Sequence, residues 1–152
     1  MGFFSANISF KEGTHSNTAT RRGIDNTPNE AQIQSMRYVA ENIFQKVREH
    51  FNKPMRINSF FRGADLNTAI GGSSSSQHCK GEAIDVDGLG GLTNKEIFDY
   101  IKDNLEFDQL INEFPDENGE PSWVHFSLKK ENNRKQVLKA YKENGKTKYK
   151  VL

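Results

Sequence analysis

A chain of 152 residues with a net charge of +1, from 21 basic and 20 acidic side chains, is the size of one compact domain with a core of its own. The balanced charge gives no field that would draw nucleic acid, and the lone Cys79 excludes an internal disulfide framework. No apolar run approaches the length of a membrane helix, so we read residues 1–152 as a single domain and expect a monomer.

The N-terminus, Met1 to Lys11, has no basic stretch followed by a continuous apolar one and does not read as a secretory signal. Ala6 stands where a myristoylation motif wants serine or threonine. Residues 1–26 read as polar and irregular, with Thr14 to Arg22 as a surface loop. Thr27 and Glu30 then form a capping box around Pro28 at a first helical position. Ile33, Met36, Ala40, Ile43, Phe44, Val47 and Phe51 recur at helical spacing and predict one buried stripe.

Pro54 to Phe60 predicts a strand leading to Arg62, and Ala64 to Ile70 a short helix stopped by Gly71 and Gly72. Ser73 to Ser76 reads as a flexible run that delivers His78. Ile84 and Val86 alternate with Ala83, Asp85 and Asp87, which predicts a strand with one apolar and one polar face. Gly88 to Leu92 lacks the strand-glycine-helix context of a phosphate loop and reads as a connector. Thr93 and Glu96 form a second capping box, opening a helix with Ile97, Tyr100, Ile101 and Leu105 inward. A strand follows over Phe107 to Phe114, then a loop from Pro115 to Pro121. Val124, Phe126 and Leu128 next alternate with Trp123, His125 and Ser127 in a second strand of two-faced pattern. The tail, residues 136–152, predicts a hairpin about the Asn144-Gly145 turn. This order of elements predicts an α+β fold with helices packed on a mainly antiparallel sheet.

The chemistry concentrates in His78, Asp85 and His125, a three-ligand set for a divalent metal. Three protein ligands with a fourth position open is how a catalytic zinc site is built, and two imidazoles with one carboxylate suit Zn2+. The competing reading is a turn, a strand and two ordinary histidines that share a sheet. Arg62 offers a fork of donors for a carboxylate or a developing oxyanion, or else a surface ion pair. Ser76 either hydrogen-bonds substrate or caps a turn, and Trp123 either walls a cleft or packs beside the metal. Asp87 either orients a ligand or ends its strand. Cys79 is set aside as a fourth ligand, because neighbours in an extended segment point to opposite faces. His15 and His50 read as surface residues.

These residues also carry a resemblance. Ser76-x-His78-x-x-Gly81-x-Ala83-x-Asp85, with the later Trp123-x-His125, resembles the zinc D-Ala-D-Ala carboxypeptidase and L-alanyl-D-glutamate endopeptidase family, peptidoglycan peptidases of bacteria and their phages. It extends to Gly23 to Pro28, to Ile57 to Asn67 and Ile70 to Ser73, and to Asp108 to Glu113. The resemblance implies a hedgehog/D-Ala-D-Ala-peptidase-like fold with one zinc, hydrolysing a bond of the peptidoglycan stem peptide. It implies His78, Asp85 and His125 as ligands, Arg62 as a substrate-binding cation and Glu113 as the base. By its residues alone Glu113 reads equally well as a solvated strand carboxylate, and Glu120 is a second candidate in a loop able to fold over the site. Two positions depart from the pattern: Ser122 stands where many relatives carry an acid, and Phe60-Phe61 replaces a small-aromatic pair. With no export signal, the resemblance implies a phage endolysin-like product made in the cytoplasm and acting on the wall after release, with other phage lysis or virion proteins as possible partners. Ser122 keeps open a rival, a non-catalytic zinc-containing wall-binding or virion structural protein on the same scaffold.

Overall fold

The two strands with alternating polar and apolar faces become adjacent interior strands of a six-stranded sheet. The structure is a computed structural model and describes residues 2–152. The sheet has the order β3-β4-β6-β5-β7-β8, built from β3 (Met55–Ser59), β4 (Ala83–Gly88), β5 (Gln109–Glu113), β6 (Trp123–Ser127), β7 (Gln136–Glu143) and β8 (Lys146–Val151). All neighbouring strands pair antiparallel except β5 and β7, which run parallel. A mixed α+β architecture with a mainly antiparallel sheet is therefore what the chain adopts.

One face of the sheet is the core. Ile84, Val86, Val124, Phe126 and Leu110 are fully buried there and pack with Met36, Val39, Ile43, Ile97 and Ile101 from the helices in one apolar cluster. Each such side chain contributes about 1.5–3 kcal/mol on leaving water. The predicted helical stripe is realised in one long helical stretch: α3 (Glu30–Val39), a π-helical turn (Ala40–Phe44) and α4 (Gln45–Phe51). Its start differs from expectation. Asn29, not Thr27, is the N-cap, and its box partner is Gln32. Thr27 is instead engaged with the Asp25 carboxylate, to which its hydroxyl donates at 2.6 Å. The helix after the glycine connector, α6 (Asn94–Asn104), keeps the expected Thr93/Glu96 box.

Residues 1–26 are not irregular. They form a small antiparallel pair, β1 (Phe3–Ser5) and β2 (Ile8–Ser9), followed by α1 (Phe10–Thr14) and α2 (Asn17–Arg22). Phe4 and Ile8 are buried in the core cluster, and Ser9 and Glu12 close a capping box. The strand pair escaped prediction because its order comes from tertiary packing of two apolar residues rather than from a sustained period, whereas the Ser9-x-x-Glu12 box is a local helix signal that was passed over. The predicted hairpin is present, with Asn144 at φ 53° and Gly145 at φ 76°, the paired left-handed residues of a type I′ turn. Among the described residues, no helix is long and apolar enough to cross a membrane.

Candidate metal centre

On the face of the sheet away from the helices, Asp85 of β4 and His125 of β6 are register partners. His78 reaches them from a 3-10 turn, Gln77–Lys80, inserted between α5 (Ala64–Ala69) and β4. The serine run ends as a cap: Ser76 Oγ accepts from the His78 amide at 3.2 Å. Gly81 closes the turn at φ +75°, where a Cβ would meet the Gln32 carbonyl and Met36 Cγ at 2.7 Å. A left-handed residue pressed against α3 explains why the motif has glycine three positions after His78.

The three side chains converge. His78 Nε2 lies 3.2 Å from Asp85 Oδ2, and His125 Nδ1 lies 2.9 Å from Asp85 Oδ1. All three ligand atoms fall within 4.8 Å of one another. The Phe60 carbonyl faces His78 Nδ1 at 2.8 Å. A carbonyl only accepts, so Nδ1 carries a proton and Nε2 is the nitrogen turned towards Asp85. The electrostatics agree with the geometry. Burial opposes ionisation of Asp85, yet His78 and His125 hold its carboxyl well below the usual range. Burial likewise opposes a charge on His125, but Asp85 and Glu113 outweigh it and raise the imidazole. Asp85 is thus kept ionised between two imidazoles, and one carboxylate with two imidazoles is a donor set that fits zinc.

The triad forms part of the lining of a cleft of about 870 Å³ that also takes in Arg62, Ser76, Glu113 and Trp123. Arg62 follows β3, and its amide donates to the His78 carbonyl at 3.2 Å. Its Nε is buried with no hydrogen-bond partner, and among the described residues the arginine makes no ion pair. Glu113 is the register partner of Trp123 on the same sheet face. Burial, helped by the Asp85 charge, pushes its carboxyl up to about 7 against the pull of His125 and the Trp123 indole. Trp123 and Phe114 pack with ring centroids 5.4 Å apart.

The remaining candidates are placed elsewhere. Glu120 Oε2 accepts from the Asn94 and Lys95 amides at 3.0 and 3.3 Å, so it serves the N-terminus of α6 and not the cleft. Asp87 accepts from Arg56, Asn58 and Asn94, tying β3 and α6 to the end of β4. Cys79 stays out of the cluster, although the reason differs from that expected, since its segment is a 3-10 turn and not extended. Burial pushes its thiol up, against Arg62. Ser122 donates to the Phe114 carbonyl at 2.7 Å and lies outside the cleft lining. His50 stacks on Tyr100 with centroids 4.0 Å apart.

A family model described as Peptidase M15 matches residues 6–127. The chain belongs to the M15 peptidases. No curated protein matches it. The match takes in the whole triad, Arg62 and Glu113, and supports the resemblance to D-Ala-D-Ala carboxypeptidase-like zinc peptidases. It stops at Ser127, so the β7–β8 hairpin lies beyond it.

Two residues that hold the candidate site in shape, Asn26 and Asp108, were given no role from sequence. Asn26 is buried, donates to the Thr14 and Phe61 carbonyls and accepts from the Gly63 amide at 2.7 Å, clamping both sides of Arg62. Asp108 is fully buried and accepts from Arg134 Nη2 at 2.6 Å and from Gln77 Nε2 at 3.0 Å. It thereby ties the turn that carries His78 to β5. Arg134 and Lys129 outweigh its burial and hold the carboxyl down at about 2. An isolated Asn or Asp at a loop-strand junction gives no periodic signal, which is why neither role was legible.

Proposed function

We propose that this M15 chain is a zinc metallopeptidase that hydrolyses a peptide bond in peptidoglycan stem peptides. The observation that carries the proposal is the tautomer lock on His78. A histidine whose Nδ1 is committed to the Phe60 carbonyl has its other nitrogen free, facing Asp85 and His125 on the wall of a cleft. His78, Asp85 and His125 would hold the zinc, which when bound supplies Lewis-acid polarisation of the substrate carbonyl and a more acidic water.

The chain's own residues do the rest. Glu113, with a carboxyl near neutrality, takes a proton from the attacking water and returns it to the leaving amine. Arg62, with a buried donor lacking an acceptor, binds the carboxylate or the developing oxyanion of the substrate. Trp123, backed by Phe114, forms a wall that limits water beside the scissile bond. Ser76 acts indirectly, through the turn it caps.

Within this class an L-Ala-D-Glu endopeptidase and a D-Ala-D-Ala carboxypeptidase would use the same metal centre, and the ends of the released fragments decide between them. Ser122, in place of an acid, motivates the second reading of a non-catalytic wall-binding protein. A base-competent Glu113 in the cleft supports the first. The test is metal-dependent hydrolysis: protein stripped by a chelator and titrated with zinc is incubated with stem peptide. New amine ends should appear in proportion to zinc up to one equivalent. Stoichiometric zinc uptake without new amine ends would move the assignment to the binding protein.

A further inference from the structure

The cleft extends well past the metal centre, onto strands that the M15 match does not include. Register partners run in one row across the whole sheet: Ser59, Asp85, His125, Ile111, Leu138 and Val151. The adjacent row is Trp123, Glu113, Ala140 and Tyr149. Residues that are register partners share a face, so Leu138, Val151 and Tyr149 stand on the same side as the metal triad. They line the same cleft as His78, Asp85 and His125.

Ala140 in the second row is fully buried, and with Ile111 and Leu138 it forms a small apolar floor against Phe114. Tyr149 is its register partner on β8, two strand spacings, about 10 Å, from the strand of Glu113. Burial, followed by the Glu113 and Asp85 carboxylates, raises its phenol, so the ring lies within their fields. Yet Tyr149 and Val151 are 57% and 65% exposed. Large apolar side chains left open on the wall of a cleft mark a place where something is bound. Arg62 follows β3, the opposite edge strand, so the triad lies between Arg62 and the hairpin.

We propose that the β7–β8 hairpin is the specificity wall of this cleft: it holds the peptide segment on the side of the scissile bond away from Arg62, with Tyr149 and Val151 packed on an uncharged residue of that segment. The proposal rests on the peptidase reading of the metal centre. A second copy of the chain is the less fitting occupant. Lys146, Lys148 and Lys150 stud the exposed β8 edge, and a row of lysines opposes edge-to-edge pairing with itself.

The experiment uses the full chain loaded with zinc and the synthetic stem pentapeptide L-Ala-D-Glu-L-Lys-D-Ala-D-Ala with its truncations from either end. Hydrolysis and peptide-induced shifts in the backbone NMR spectrum are both read. Tyr149→Ala should raise KM about tenfold with kcat within about twofold, the signature of lost uniform binding to one aromatic contact. Tyr149→Phe should keep most of the affinity, while the far-UV spectrum and zinc content report the folding of each variant. Peptide should shift β7 and β8 resonances in the parent. Hydrolysis by the parent with an unchanged KM in Tyr149→Ala and no β8 shifts would overturn the hairpin proposal and leave the peptidase standing. Binding at β8 without hydrolysis would keep the hairpin as a peptide-binding wall and remove the peptidase. Neither binding nor hydrolysis would overturn both, as would a concentration-dependent dimer abolished by Tyr149→Ala in a chain that ignores peptide.

Discussion

Glu113→Gln should make the metal-free protein more stable and the zinc enzyme inactive. The carboxyl is raised from 4.5 to about 7 in the folded chain, chiefly by burial. A raised acid keeps its proton in the folded state after the unfolded state has released it. Stability therefore falls as pH rises from 4.5 to about 7, and the whole cost is present above that window. At about 1.4 kcal/mol for each tenfold change in the protonation equilibrium, the cost is about 3 kcal/mol at about pH 8. Glutamine resembles the protonated acid and titrates nowhere, so the variant escapes the cost. In chelator, urea denaturation at about pH 4 should give wild type and variant nearly equal stability. At about pH 8 the variant should be ahead by about 2–3 kcal/mol, or roughly 5–10 °C in Tm. With zinc and stem peptide, the same substitution should lower kcat by about 100-fold or more. A stability difference that does not change between the two pH values would refute the burial of an ionising carboxyl. Full activity in the variant would refute its use as a base.

Four further outcomes follow from the same contacts. Asp108, held down at about 2 from 3.8 mainly by Arg134 against its own burial, contributes stability that is complete above about pH 4 and lost as pH falls towards 2. Because Arg134 is half exposed, the loss should be about 1–2 kcal/mol, and acid titration of Asp108→Asn should lack it. Gly81→Ala should cost about 1–3 kcal/mol in denaturant unfolding and weaken zinc binding in a competitive chelator titration, since the turn bearing His78 must move off α3. Asn26→Ala should raise KM for stem peptide while leaving zinc affinity near wild type, because it frees the Arg62 loop and leaves the triad in place. Phe126→Ala, next to His125 and fully buried, should cost about 3–5 kcal/mol in thermal unfolding.

Much of the site was legible because its residues sit on strands with strict alternation. Ile84 and Val86 against Asp85, and Val124 and Phe126 against His125, assign these two candidate ligands to polar faces without any knowledge of the neighbours. That these faces coincide follows from the β4–β6 pairing, which no local pattern encodes. The long helix was legible through its stripe, but its start was misplaced. Thr27 and Glu30 have the spacing of a capping box, while Asn29 and Gln32 have it equally and are the pair used. The N-terminal segment was misread as irregular because Phe4 and Ile8 are anchored from afar. Arg62 was picked out for its charge, whereas Asn26 and Asp108, which position the loop and the turn, act through single hydrogen bonds to distant backbone and side-chain groups. The hairpin was legible as a hairpin, but its place along the cleft depends on the parallel β5–β7 pairing, a long-range event.

The measurement that bears most directly on the account is mass spectrometry of fragments released from purified peptidoglycan by the zinc-loaded chain, with His125→Ala and a chelated sample beside it. The account predicts new stem-peptide ends from the wild type, N-terminal D-Glu for an endopeptidase or free D-Ala for a carboxypeptidase, and neither from the variant or the chelated sample. Fragments released equally well by His125→Ala or in chelator would contradict the claim that His78, Asp85 and His125 form the catalytic centre.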